Sequence, residues 1–355
     1  MKLLRTILLI FPLFPLALVS VQREQLIVKE EIISQNIDDF DCHSSSIIEI
    51  DSVLCAVWKG GPGKGKSNID LKQNVGIWFS RCENGIWSEP KQIVQIPNSV
   101  CWNPILVQHP NGELLLFFRI GMHPRHTVSM YKYSSDGGLS WSPEVMLPAG
   151  IGGPTRAKPI FDAAGNMLCG SSVEVGASED KFKGTACWVE VFSNGQWSKY
   201  GPIEIPGKQF GCIEPVLFWG ENGILKMICR DRSNRIGLQG WVWSAESKDS
   251  GKTWSKLQMT GLPNPDSGIE AVAMNTREEV LLIYNHSHTQ RAPLSLALSK
   301  DYGASWTPIL DIEKESGEFP SAALDLQGYI HVTYAWCPPG RTQRVIKHII
   351  IDYRL

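Results

Sequence analysis

The sequence predicts an all-β fold made of one unit repeated around a ring, and three observations carry that expectation. Five tryptophans, Trp87, Trp141, Trp197, Trp254 and Trp306, recur at spacings of 54, 56, 57 and 52 residues. Each closes a glycine-containing turn. SSDGGLSW at 134–141, SKDSGKTW at 247–254 and SKDYGASW at 299–306 share one pattern, while CENGIW and FSNGQW keep its glycine and tryptophan. Between the turns run β-rich apolar segments such as ELLLFFRIG, ILKMICRDR, EVLLIYN and YIHVTYAW, bounded by turn formers. A fixed period of this length marks repeat architecture. The 335 residues at 21–355 hold six units of about 55 residues each, so the expected fold is one domain, a six-bladed β-propeller.

At the start of the chain, Lys2 and Arg5 precede an apolar run from Ile7 to Val19. That run is shorter than the roughly 20 residues a membrane span needs, so residues 1–20 are expected to be a signal peptide. The mature chain is then secreted or periplasmic, with no stable membrane span and no need of a partner chain, a monomer. Apolar residues make up 43% of the sequence and charged ones 20%, which fits a soluble globular protein. The formal charge of −2 gives no basic surplus for nucleic acid. Nine cysteines lack C-x-x-C spacing, and Cys55, Cys169 and Cys229 sit within strand-like runs. Buried free thiols are expected rather than a disulfide framework or a zinc site, and no metal or organic cofactor is implied.

Within the repeats, Asp136, Asp249 and Asp301 are placed to accept backbone N–H groups in a tight turn. Gly138, Gly251 and Gly303 supply the positive φ, and the tryptophan packs beneath. The ring is expected to close by pairing a strand from residues 24–34 or 46–58 with the C-terminal run VIKHIIIDY. GGPGKGKS at 60–67 matches a phosphate-binding loop pattern, but NIDLKQNVGIWFS follows it instead of a helix, so it reads as a loop at the propeller mouth.

The turn pattern is similar to the Asp box of sialidases, and six such blades resemble the exo-α-sialidase (neuraminidase) propeller over the whole chain after the signal. The resemblance implies an exported glycoside hydrolase acting on a terminal carboxylated sugar of a glycan. That family holds the substrate carboxylate with three arginines, whose planar guanidinium forks match a carboxylate. It uses an acid on a loop, and a tyrosine nucleophile partnered by a glutamate. Glu214 and Arg230, 16 residues apart, resemble the family's glutamate and second arginine, and Arg291, eight residues before Ser299, resembles the third. Asp70, in SNIDLKQN, resembles the loop acid.

Two departures stand out. His43 occupies the first arginine's place in DCHSSSIIEI, while FRIG at 118–121 looks like the missing motif but falls past the first repeat, which puts Arg119 in the second blade. Phe319 stands 28 residues after Arg291, where the tyrosine is expected, and a phenyl ring cannot attack an anomeric carbon. Tyr284 and Tyr334, which end strand-like runs, are the candidate replacements. Trp102, Asn103, Arg156, Lys158, Glu174 and Asn285 are expected to line the mouth. HSSSIIEI, CWNPILV, GGPTRAKPI, DSGIEAV and RAPLSLALS resemble a divergent branch of sialidase-like BNR-repeat propellers, in which the first arginine is typically histidine. Two other functions fit the same residues: a non-catalytic glycan-binding propeller, and a uronic-acid lyase in which His43 and a tyrosine move the protons.

Overall fold

The computed structural model describes residues 26–35, 39–62, 74–176, 182–205, 211–233, 237–274, 276 and 278–353. Six sheets follow one another along the chain. Blade one holds β2 (Phe40–Ile50), β3 (Val53–Pro62), β4 (Gly76–Glu83), β5 (Ile86–Trp87) and β6 (Lys91–Val94). Blade two holds β7 (Cys101–Gln108), β8 (Leu114–His123), β9 (His126–Ser134) and β10 (Val145–Met146). Blade three holds β11 (Ile160–Phe161), β12 (Met167–Gly176), β13 (Phe182–Ser193) and β14 (Gln196–Ile203). Blade four holds β15 (Cys212–Trp219), β16 (Leu225–Asp231), β17 (Trp241–Ser247) and β18 (Gln258–Pro263). Blade five holds β19 (Glu270–Ala273), β20 (Val280–Asn285), β21 (Leu294–Ser299) and β22 (Thr307–Glu313). Blade six combines β23 (Gly317–Leu324), β24 (Ile330–Trp336) and β25 (Val345–Ile351) with β1 (Ile27–Ile32) from the other end of the chain.

The ring closes through β1 against β25, from Ile27 opposite Ile351 to Ile32 opposite Lys347. Of the two segments expected to close it, 24–34 is the one that does. The departure from four strands per blade is in blade one, where β5 and β6 both pair with β4.

Apolar packing explains why six sheets stay upright. Each neighbouring pair of blades shares one buried cluster, such as Phe79 with Leu116 between blades one and two, and Leu281 with Val332 between blades five and six. Sheets covered on both faces need continuous apolar runs rather than alternation, and β20 and β21 are buried at all their positions. None of the nine cysteines forms a disulfide, and eight are buried in these layers. Among the described residues no helix is long and apolar enough to cross a membrane.

The Asp-box turns join the third and fourth strands of blades two, four and five. In the last of them the Ser299 hydroxyl donates to Asp301 (2.7 Å) and accepts from the Gly303 N–H (2.7 Å). Asp301 accepts from the Ser305 N–H (2.8 Å) and hydroxyl (2.6 Å). Gly303 adopts φ 79°, and a Cβ there would strike Phe218 of the neighbouring blade at 2.7 Å, so the turn requires glycine twice over.

At the opposite end, the innermost strands of four blades break register in the same way. The ladder slips between His43 and Ser46, Trp102 and Ile105, Ile213 and Val216, and Glu318 and Ser321. A non-glycine residue with positive φ sits in each slip: Ser44, Asn103, Glu214 and Phe319, at 52°, 44°, 53° and 54°. These bulges re-aim side chains toward the central channel.

Candidate functional site

An inner strand starts, and its partner ends, at the bulged end of each blade, away from the Asp boxes. Residues from these ends line one cavity of about 1010 Å³. Facing it are eight lysine or arginine side chains and three aspartates or glutamates, on a chain whose net charge is −2. A concave mouth with such an excess focuses positive potential and draws anions.

Blades four, five, six and one supply one half of the cavity. Arg230, near the end of β16, forks onto Glu214, with Nε to Oε2 and Nη2 to Oε1 both at 2.9 Å, and its Nη1 pairs with Asp266. Burial works against the Arg230 charge, but Glu214 and Asp266 outweigh it and raise the guanidinium above its ordinary pKa. Arg291 pairs with Glu318 and donates to the Asp266 carbonyl at 3.0 Å. Arg344 donates to Asp41 at 3.0 and 2.5 Å and to Glu318 Oε1 at 2.5 Å.

Glu318 thus gathers Arg291, Arg344 and His43, whose Nε2 lies 3.3 Å from Oε1. Burial opposes ionisation of Glu318, yet the His43 hydrogen bond and the two guanidinium charges hold it well below the usual carboxylate range. For His43, burial and then Arg344 press the imidazole down to about 3, so it is neutral at pH 7. Glu318 and Asp266 do not line the cavity, whereas Arg230, Arg291 and Arg344 do. The acids hold the guanidinium groups from behind.

The Phe319 ring fills the centre of this half. Guanidinium carbons of Arg291, Arg230 and Arg156 lie 4.9, 5.6 and 5.7 Å from its centroid, and the His43 ring lies at 4.5 Å. Contacts of this kind contribute about 0.5–2 kcal/mol each.

Blades two and three supply the other half. Arg119 donates to the Thr155 hydroxyl at 3.0 Å and to the Gly152 carbonyl at 3.5 Å. Arg125, in the β8–β9 hairpin, lies 3.6 Å from Glu174, and Arg232 reaches the same carboxylate at 3.1 Å from blade four. Lys59 sits 4.0 Å above the Trp102 ring.

Of the residues singled out in the sequence, His43, Trp102, Asn103, Arg119, Glu174, Glu214, Arg230 and Arg291 come together on this cavity, and Phe319 joins them. Asp70, and residues 63–67 of the phosphate-loop pattern, lie outside the described residues, as do residues 1–20. Five expectations need correction. Tyr284 is fully buried between blades four and five, its hydroxyl 2.6 Å from His286 Nδ1, and Tyr334 is fully buried between blades five and six, its hydroxyl donating to Glu313 at 3.4 Å. Strand alternation points both rings into blade interfaces, so neither can replace the nucleophile. Asn285 is also fully buried and donates to the Pro293 and Gly317 carbonyls, tying blade five to blade six. Arg156, 2% exposed, crosses the channel from blade three to donate to the Pro320 carbonyl at 2.7 Å, beneath the cavity rather than on it. Lys158 crosses in the same way to Glu270, Ser321 and the Ala322 carbonyl.

Arg344, Asp41 and Asp266 were not among the residues expected. Arg344 had a signal: it precedes the third strand of blade six as Arg291 precedes that of blade five, so aligning the repeats would have found it. Among the described residues no group of three or more His, Cys, Asp or Glu side chains could hold a metal ion.

Known proteins place this arrangement. Among solved structures, a protein of unknown function from Dyadobacter fermentans superposes with a TM-score of 0.74 at 18% identity, covering 92% of this chain and 98% of its own. The NanB sialidase of Streptococcus pneumoniae (K499G mutant) gives 0.69 at 10% identity, covering 93% of this chain and 71% of that one. The Trypanosoma rangeli sialidase in complex with the inhibitor DANA gives 0.64 at 13%, covering 92% and 58%. At these identities the likeness is one of fold. A comparison with curated proteins found no match. The sequence matches the BNR repeat-like domain over residues 52–332, most of its length, and the chain is a member of that family with a sialidase-like six-bladed propeller fold.

Proposed function

We propose that the cavity receives the terminal carboxylated sugar of a glycan, sialic acid or a relative, and that the exported chain hydrolyses it as an exo-acting, sialidase-like glycosidase without tyrosine. The supporting observation is the set of guanidinium groups on the cavity, Arg230, Arg291 and Arg344, braced from behind by Asp266 and Glu318 and, for Arg344, by Asp41 on the cavity wall. Bracing fixes the forks, so a carboxylate meets them without a large ordering cost. The sialidases among the structural neighbours support the same reading.

With Phe319 at the centre, water takes the nucleophile's place. Water attacks the anomeric carbon and passes its proton to Glu214, which Arg230 holds at two points. The glycosidic C–O bond breaks as a loop acid, for which Asp70 is the candidate, protonates the leaving oxygen. Phe319 also favours a second reading, a propeller that binds the sugar and leaves it intact. Incubation with an aryl sialoside and sialyllactose, read by mass, separates the two. Release of free sugar by the wild type, lost in Glu214→Gln while calorimetric binding persists, supports hydrolysis. Binding without release supports the second reading, and neither binding nor release overturns both.

A further inference from the structure

The two halves of the cavity differ in how their charges are balanced. In the clamp half every guanidinium on the cavity pairs with at least one carboxylate, Arg230 with Glu214 and Asp266, and Arg291 and Arg344 with Glu318. In the other half Arg125 and Arg232 share Glu174, and Arg119 makes no ion pair among the described residues. Its Nε, shut off from solvent, has no hydrogen-bond partner, and burial lowers its guanidinium pKa against the pull of Glu190, Glu214 and Glu174. A guanidinium offered only a hydroxyl and a carbonyl is an incomplete site for an anion.

Exposed apolar side chains share the walls of this half with polar ones. Met122, Val128, Met146 and Val173 all line this half and are 48%, 47%, 63% and 40% exposed. Cations on the floor with apolar side chains on the walls suit a pyranose ring bearing an acidic group. Size agrees: about 1010 Å³ reaches the top of the usual range for a small-molecule pocket, roughly 300–1,000 Å³, and one sugar ring needs far less. Blades two and five stand opposite each other in the ring, so Arg119 and Arg291 approach a ligand from opposite sides.

We infer that this half is a second anion subsite, centred on Arg119, and that the preferred ligand is an oligosaccharide with acidic groups on two neighbouring residues. This rests on the proposed clamp around Arg230 and Arg291. The terminal acidic sugar occupies the clamp, and the carboxylate or sulfate of the next residue completes Arg119.

The test is calorimetric binding of sialyllactose, with one carboxylate, against disialyllactose, with two, at low and high salt. The wild type should bind the di-acidic sugar at least tenfold more tightly, and the ratio should shrink with salt. Arg119→Met should bring the ratio close to one, while Arg119→Lys, which keeps the charge, should preserve most of it. Arg291→Ala should weaken both sugars together and leave the ratio in place. A wild-type ratio near one overturns the subsite, as does an Arg119→Met variant that melts normally and keeps the ratio. If both sugars bind but Arg291→Ala changes neither affinity, the clamp reading fails separately, and with no clamp to seat the terminal sugar the assignment of Arg119 to the second residue falls too.

Discussion

Replacing Phe319 with tyrosine adds one oxygen at the tip of a ring that three guanidinium groups and an imidazole already surround. The contacts at 4.9, 5.6, 5.7 and 4.5 Å belong to the ring and survive the change. Phe319 is 8% exposed, so a hydroxyl left alone there would cost about 1–3 kcal/mol. A hydrogen bond to a charged group returns about 1.5–3 kcal/mol, and the net effect on stability should stay within about 1 kcal/mol.

The effect on chemistry should be larger. A tyrosine oxygen held beside the anomeric carbon replaces a bimolecular water attack by an internal one, and a gain of only 1.4 kcal/mol is already tenfold in rate. Phe319→Tyr is therefore expected to raise aryl sialoside hydrolysis at least about tenfold. A slow fluorinated sialoside should leave a tyrosine-linked sugar visible by mass. The assay needs a paired melting curve to show that the variant is folded. A folded variant that binds the sugar, forms no adduct and hydrolyses no faster would show that Glu214 and position 319 do not face one anomeric carbon. The sialidase-type arrangement would then be the wrong frame for this cavity.

Other consequences can be measured independently. Arg291→Ala removes a partly exposed guanidinium from the clamp and should weaken an acidic sugar by about 2 kcal/mol, roughly thirtyfold in Kd by calorimetry; unchanged affinity would remove Arg291 from the site. Ser299→Ala deletes the buried hydroxyl that accepts from the Gly303 N–H and should lower unfolding free energy by about 1–3 kcal/mol, seen as a urea midpoint shift at constant slope. Acid should destabilise the fold early. His43, pressed down to about 3, and His331 and His348, lowered chiefly by burial, all resist protonation when folded. As pH falls below the unfolded value of about 6.5 the unfolded chain takes up protons that the folded one refuses, so stability declines from there. Asp41 and Glu318, held low in the fold, extend the loss below about 4.5. A flat urea midpoint between pH 7.5 and 5 would contradict buried neutral imidazoles.

The ring and its turns were legible because they depend on local chemistry. A serine, an aspartate and a glycine at fixed offsets make the Asp box within eight residues, and the tryptophan spacing then counts the blades. Closure through residues 27–32 was legible as one of two options, since both segments are β-rich and only packing against β25 chooses between them. Charged residues at strand ends were also recoverable, and His43, Arg119, Glu214, Arg230 and Arg291 meet on one cavity. Tyr284 and Tyr334 misled for a physical reason. A strand end says where a residue lies along the channel axis, but strand parity chooses only which neighbouring blade it faces, as Ile283 packs toward blade six and Tyr284 toward blade four. In strands buried on both faces, hydrophobicity does not reveal that parity.

The bulges resolve the parity problem, and they did leave a mark. Asn103, Glu214 and Phe319 have positive φ, and each is followed by proline, at Pro104, Pro215 and Pro320. Proline cannot donate to a ladder, and it favours an extended residue before it, so a positive φ at that position is strained. Strain of this kind persists only where surrounding structure imposes it, and here the imposition recurs in blades two, four and six. In each case the ladder slips by a residue around the proline, which turns the neighbouring side chains toward the channel axis. The dipeptides Asn-Pro, Glu-Pro and Phe-Pro share no side-chain chemistry, so no residue-type motif connects them. What they share is position in the repeat, at the start of the innermost strand. The site is therefore written as a backbone device, a strained residue ahead of proline, and the side chain at each copy is free to vary. That freedom is how one ring can carry Glu214 in one blade and a chemically inert Phe319 in another without changing the frame that aims them.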